Sequence, residues 1–279
     1  MLSWQQAVIA ACTAGIVGVA LVGFGRPAER TGYRVQRWAG LAGPFLREAG
    51  VVLGLYALWQ LAGRLAGPPA GAMGHAWWLW HLERALRLPS ELDVQRWLLP
   101  HPALSQAANI YYATMHFGML IAMLAWLFAR HRDRYPAIRN AMAATTALCL
   151  VISFIPVAPP RMLSSLGFVD LAARYGQSVY GSGGTAGADQ LSAMPSVHVA
   201  WAMLVAWAVI TSGTSRWRWL IGAHPVLTVA VVVGTGNHFW ADGIVAAAIV
   251  AGILAAMAVV PGKISHRVHA FRSTRDHEL

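Results

Sequence analysis

Seven stretches of this chain are almost wholly apolar over roughly twenty residues each, the length a helix needs to cross a bilayer. They run approximately over 4–25, 48–66, 104–129, 138–157, 195–212, 219–235 and 240–260. Hydrocarbon offers no water to bond backbone groups, so runs of this length satisfy themselves as helices. The expected fold is an all-α, polytopic membrane helix bundle of about seven spans. Charge content agrees: only 11% of the 279 residues are charged and the mean hydropathy is +0.51, whereas a soluble domain is about a quarter charged. A soluble globular enzyme, a disordered chain and a disulfide-stapled secreted domain are all excluded. Cys12 and Cys149 both lie in apolar stretches and read as small core residues.

The net charge of +10 does not mark a nucleic-acid binder, because no basic run carries aromatic interleaving. The charges lie between spans instead, and they alternate. Segment 26–47 carries a net +4 (Arg26, Arg30, Arg34, Arg37 and Arg47 against Glu29) and segment 130–139 a net +3. Arg216 and Arg218 give +2, and the tail beyond Pro261 another +2. Segments 67–103 and 158–193 each sum to zero. By the positive-inside rule this predicts an extracytoplasmic N-terminus and a cytoplasmic C-terminus in the cell membrane. The first span has no positive charge before it and arginines after it, the reverse of a cleavable signal, so it reads as an uncleaved anchor.

Two connecting segments have a character of their own. Residues 76–98 mix Trp77, Trp78, Trp80 and Trp97 with charges of both signs, the pattern of a stretch lying in the headgroup layer with rings toward the acyl chains and charges toward water. Pro89-Ser90 is expected to split it into two short helices with Ser90 as a cap; the segment reads as an interfacial brace, or else as a lid over a lipid site. Residues 176–190 are rich in Gly and Ser and read as mobile. Gly50-xxx-Gly54 is a weak helix-packing signal.

Chemistry-bearing residues fall in three clusters, all assigned by this topology to the outer face. In Phe154-Ile-Pro-Val-Ala-Pro-Pro-Arg161, three prolines stop a span and leave Arg161 at its end, as a phosphate-holding fork or as a headgroup anchor. In Pro195-Ser196-Val-His198, Pro195 suits the first turn of a helix whose free N–H groups form an anion site. Ser196 adds a hydroxyl donor, and His198 can move a proton near neutral pH. In Gly234-Thr-Gly-Asn237-His238-Phe-Trp-Ala-Asp242, the four-residue spacing puts His238 and Asp242 on one helical face. An acid inside an apolar span is costly and by default functional. Bonded to Asp242, His238 would present its other nitrogen as nucleophile or base. The parts suit phosphoryl transfer through a covalent intermediate. No carboxylate cluster implies a metal. His116, with Tyr111 and Tyr112, either lines the site from the third span or packs beside it.

P-S-x-H followed some forty residues later by H-x-x-x-D resembles the type 2 phosphatidic acid phosphatase superfamily, which also holds the vanadium haloperoxidases. Its six-helix core matches spans two to seven. That divides the chain into an anchor and basic cytoplasmic loop (1–47), a membrane catalytic core (48–260) and a basic cytoplasmic tail (261–279). Two family cation sites are missing: the Lys position is Phe154, and the Ser-Arg positions are Val231 and Val232. The form present, APPRM with P-S-x-H and T-G-N-H-x-x-x-D, is more similar to the subgroup around fungal inositol phosphorylceramide synthase and actinobacterial inositolphosphotransferases. A phosphodiester carries less charge than a phosphomonoester, so fewer cations suit it.

The resemblance implies that His238 attacks phosphorus, that Asp242 orients His238, and that His198 serves as acid and then base. It places Arg161, Ser196, Asn237 and the N–H groups near Pro195 on the phosphoryl oxygens. It implies no cofactor. The expected activity moves a phosphoinositol-type headgroup from a phospholipid donor to a hydroxyl acceptor. A lipid or polyprenyl phosphate phosphatase is the alternative, and a non-catalytic anion-binding protein or transporter a remote one.

Overall fold

The computed structural model describes residues 4–24, 33–65, 71–178 and 191–259. The chain forms two compact units, Met1–Ala66 and Gly67–Leu279. Residues 25–32 of the expected basic loop, residues 179–190 of the Gly/Ser-rich stretch and the tail from 260 onward lie outside the described residues.

The first unit pairs α1 (Trp4–Phe24) with α2 (Tyr33–Leu65). Its second helix is longer than the expected span: it reaches back through Pro44 into the stretch read as loop. Glycines let the two backbones meet. A Cβ on Gly50 would stand 2.8 Å from the Gly15 backbone nitrogen, and one on Gly18 2.4 Å from that of Arg47. Gly54, the second glycine of the motif, is looser, with Ala11 Cβ 3.9 Å away. Cys12 faces outward on α1 and is not a core residue, whereas Cys149 is buried.

The second unit holds α3 (Ala72–Ala85), α4 (Glu91–Leu98), α5 (Pro102–Arg130), α6 (Tyr135–Ser153), α7 (Leu171–Arg174), α8 (Val197–Ser212), α9 (Ala223–Gly234) and α10 (Trp240–Val259). Short 3-10 turns, Pro160–Met162, Ser164–Leu166 and Arg216–Gly222, join them. The described residues contain no strand, only an isolated bridge between Val157 and Ser192. Among the described residues, five helical stretches are long and apolar enough to cross a membrane: Gln5–Val22, α5, α6, Arg216–Gly234 and α10. The chain is an all-α polytopic bundle.

The fifth expected span, α8, has only 16 residues, about 24 Å at 1.5 Å per residue, against a hydrocarbon core of about 30 Å. It is enclosed by its neighbours: Ala200, Leu204, Val205 and Ala208 are all buried in the main core, which explains why the helix is apolar all round. Its C-terminal carbonyls are capped by arginines. Arg134 donates to the Thr211 carbonyl, and Arg218 Nη1 to that of Gly213 at 2.5 Å. Cations at a helix C-terminus oppose its dipole favourably. These arginines therefore lie at the end of the bundle opposite the N-terminus of α8.

The interfacial segment folds as two short helices, α3 and α4, broken at 86–90. Ser90 occupies the N-cap position with extended backbone, but its side chain makes no cap bond. The orientation departs from expectation in part, since Arg87, Asp93 and Arg96 are exposed as expected. Trp78 and Trp97 face outward, yet Glu83, Glu91 and Gln95 are fully buried instead of facing water. They turn inward because backbone N–H groups of the bundle await them there.

Candidate functional site

Backbone hydrogen bonds tie the three motif segments together. The helix α6 ends at Ser153 because Pro156, Pro159 and Pro160 cannot continue it. In the chain that follows, Val157 donates to the Leu191 carbonyl at 2.7 Å and Ala193 donates back to Val157 at 3.1 Å. The Arg161 N–H bonds the Gly236 carbonyl at 2.8 Å, and the Ser196 N–H bonds that of Asp242 at 3.2 Å. Residues up to 75 positions apart thus bond to one another at one end of the second unit.

Arg161 lies in the Pro160–Met162 turn and is buried, so it is not a headgroup anchor at a span end. Its Nη1 donates to Asn237 Oδ1 at 2.6 Å, and its Nε pairs with Asp170 Oδ2 at 3.3 Å. Asn237 in turn donates to Thr235 Oγ1 at 2.8 Å, fixing which way its amide points. A lysine cannot reproduce this planar fork. Arg161→Lys is expected to fold but to lose activity tenfold or more, since a charge-assisted bond contributes about 1.5–3 kcal/mol. Steady-state rates of the two proteins check it.

The turn before His238 depends on Gly236, whose φ is +69°. A Cβ there would approach Gln95 Nε2 to 2.9 Å and Arg161 Cβ to 3.3 Å. Gly236→Ala is expected to lower the thermal midpoint, by left-handed backbone strain of about 1–2 kcal/mol plus that crowding. Activity should fall with it, because Arg161 is one of the atoms displaced.

His238 precedes α10 instead of lying within it, and Asp242 sits in the first turn. Their contact is therefore cap-like. Asp242 Oδ2 accepts the Phe239 N–H at 2.8 Å and stands 3.2 Å from His238 Nδ1. The same Nδ1 lies 2.7 Å from the Ala193 carbonyl. A nitrogen facing two acceptors carries the proton, so Nε2 keeps its lone pair. That Nε2 is buried and has no hydrogen-bond partner, as does Asp242 Oδ1. Buried polar atoms left open in this way call for a ligand or a chemical role.

The second cluster differs locally from its sequence reading. The helix begins at Val197, so Pro195 lies before the cap and outside the first turn. Ser196 is the cap, its Oγ accepting the Val199 N–H at 3.4 Å while its own proton remains available to donate. His198 presents its ring 5.7 Å from that of His238. Tyr112 stacks on it at 4.3 Å and His116 meets it edge-on at 4.3 Å, so both hold the His198 ring in place. Tyr111 instead bonds His224 Nδ1 at 2.7 Å and Thr228 at 3.1 Å. Val231 and Val232 are core residues, and the Val232 carbonyl accepts the N–H groups of Asn237 and His238 at 2.9 and 3.1 Å. Among the described residues no three His, Cys, Asp or Glu side chains gather as metal ligands would.

Sequence reading missed Glu83, Glu91 and Gln95. Gln95 clamps the backbone of Val169 from both sides, donating to its carbonyl at 3.0 Å and accepting its N–H at 2.9 Å. The available signal was positional: Ala76, Leu79 and Glu83 share one helical face, and the first two belong to a core.

No curated protein and no solved structure matches the chain at a significant level. The model of the PAP2 superfamily matches residues 77–256, about two thirds of the chain and all three motif segments. The chain belongs to the PAP2 superfamily, whose members are generally phosphatases or phosphotransferases acting on lipids.

Proposed function

We propose that this membrane protein moves a phosphoinositol-type headgroup from a phospholipid to a hydroxyl acceptor through a phosphohistidine on His238, at the extracytoplasmic face. The observation that carries the reading is the buried, unbonded Nε2 of His238, whose tautomer is set by Ala193 and Asp242. Nε2 attacks phosphorus and the bond from phosphorus to the glycerol oxygen breaks. His198 gives that oxygen a proton, and diacylglycerol leaves. The acceptor hydroxyl then gives its proton to His198 and attacks phosphorus, the P–N bond breaks, and His238 is restored. Arg161, Asn237, Ser196 and the N–H groups near Pro195 bind the phosphoryl oxygens. Asp242 stabilises His238 while it carries charge.

A diester is favoured over a monoester because Phe154 and Val232 offer no charge where the family's Lys and Arg would stand. The side on which the site opens follows from the arginine distribution. The experiment is product analysis by mass spectrometry on detergent-purified protein given phosphatidylinositol or phosphatidic acid, with a cellular lipid extract as acceptor. Diacylglycerol plus a new phosphoinositol-bearing product is the expected result. Phosphate released from phosphatidic acid, with phosphatidylinositol untouched, replaces this reading with a phosphatase.

A further inference from the structure

Glu83 and Glu91 are fully buried acids that the chemistry above does not use. They come from α3 and α4 and meet at the first turn of α10. Glu83 Oε1 accepts the Ala241 N–H at 2.7 Å, and Glu91 Oε1 lies 3.5 Å from the Trp240 nitrogen. With Asp242 on the Phe239 N–H at 2.8 Å, three carboxyl groups take up donors that a helix N-terminus leaves unmatched. Trp240 is pinned again through its ring, Nε1 donating to the Pro89 carbonyl at 2.9 Å.

Three acids gather here beside one arginine, so ionising all of them leaves excess negative charge in a buried place. Glu83 is faced by Glu91 from α4, by Arg84 from its own helix and by Asp242 from α10. Arg84 reaches both glutamates, its Nη2 standing 3.2 Å from Glu91 Oε2 and 3.7 Å from Glu83 Oε2. Its closer partner is Glu91. Glu83 Oε2 is buried and has no hydrogen-bond partner, which favours the neutral acid over the carboxylate. Burial first, and then the neighbouring Glu91, pushes Glu83 up to about 9.

We propose that Glu83 and Glu91 are positioning residues, a buried acid pair through which the α3–α4 hairpin holds the N-terminus of the last span in place, and with it His238 and Asp242. The proposal rests on the reading of His238 and Asp242 as the reacting pair. Once Glu83 ionises, Glu91 and Asp242 repel it across a single arginine, and the Trp240–Ala241 turn loosens. A displacement of about 1 Å at a nucleophile costs on the order of a hundredfold in rate.

The test compares full-length wild type with Glu83→Gln and Glu83→Ala. Gln keeps an acceptor for Ala241 and has no proton to lose. Turnover is followed from about pH 6 to about pH 10; a single ionisation makes kcat fall about tenfold per pH unit beyond its midpoint. Wild type is expected to fall in this way above pH 9. Glu83→Gln should retain turnover at neutral pH and lack that fall, while Glu83→Ala loses kcat with KM little changed.

A second readout needs no substrate. Between its unfolded value of 4.5 and its folded value of about 9, Glu83 is protonated only in the folded protein. Rising pH therefore favours the unfolded chain throughout that window and has no further effect above it. The thermal midpoint of Glu83→Gln relative to wild type should climb from about pH 5 to about pH 9 and then level off. A constant midpoint difference, or an alkaline fall identical in both proteins, overturns the proposal. If no phosphate or phosphodiester lipid is turned over, the proposed function fails, and the midpoint series alone decides the acid pair.

Discussion

Replacing His238 with alanine is expected to abolish turnover while leaving a folded protein. Loss of a nucleophile that forms a covalent intermediate removes the pathway itself, a fall on the order of a millionfold, to background. The structure also shows what else alanine removes: the Nδ1 contacts to Ala193 at 2.7 Å and to Asp242 at 3.2 Å. Leaving those acceptors unmatched costs roughly 1–3 kcal/mol, enough to blur inactivity with misfolding. His238→Asn separates the two. Its amide nitrogen can replace Nδ1 as the donor to Ala193, and it places nothing where Nε2 stood. Both variants should elute as wild type does in detergent, Asn with the smaller drop in thermal midpoint, and neither should release diacylglycerol or phosphate. Turnover surviving in His238→Asn would mean that phosphorus never bonds to this residue.

Most of the site was legible because it is written in short motifs whose residue types carry their chemistry. Arg161 after a proline stop, His198 near the opening of a span and the His238–Asp242 pair are brought together at one end of the second unit. Failures came where packing decides against local pattern. The four-residue spacing suggested a shared helical face, but the helix starts after His238, so the contact closes a cap. Pro195 reads as a first-turn proline by its residue preference; Ser196 takes the cap and pushes it outside. The long α2 passes through Pro44, where proline and flanking arginines argue for a loop. Glu83 and Glu91 were the deepest miss. A charged residue among tryptophans reads as facing water, and only the unmatched N–H groups of a helix 150 residues away in sequence make its burial favourable.

Asp242→Asn is the substitution whose two effects should run in opposite directions. Asn can still accept the Phe239 N–H, keeping the cap that Asp242 Oδ2 provides at 2.8 Å. Its amide then turns a donor toward His238 Nδ1, also a donor, and favours the tautomer whose proton sits on Nε2. In a serine-protease triad the equivalent change costs about ten-thousandfold in kcat. Here the Ala193 carbonyl, 2.7 Å from Nδ1, still holds the reactive tautomer in part. The loss should therefore be smaller, on the order of a thousandfold, and come mainly from the missing negative charge beside a histidine that becomes cationic. Stability should not follow activity down. Asp242 is fully buried, and its Oδ1 has no hydrogen-bond partner. A neutral amide is cheaper to bury than an incompletely bonded carboxylate, so the thermal midpoint is expected to hold or rise. A carboxylate kept only to join helices would behave oppositely, with the midpoint falling and the rate per folded molecule preserved. Measuring both quantities on one preparation decides which purpose the buried acid serves.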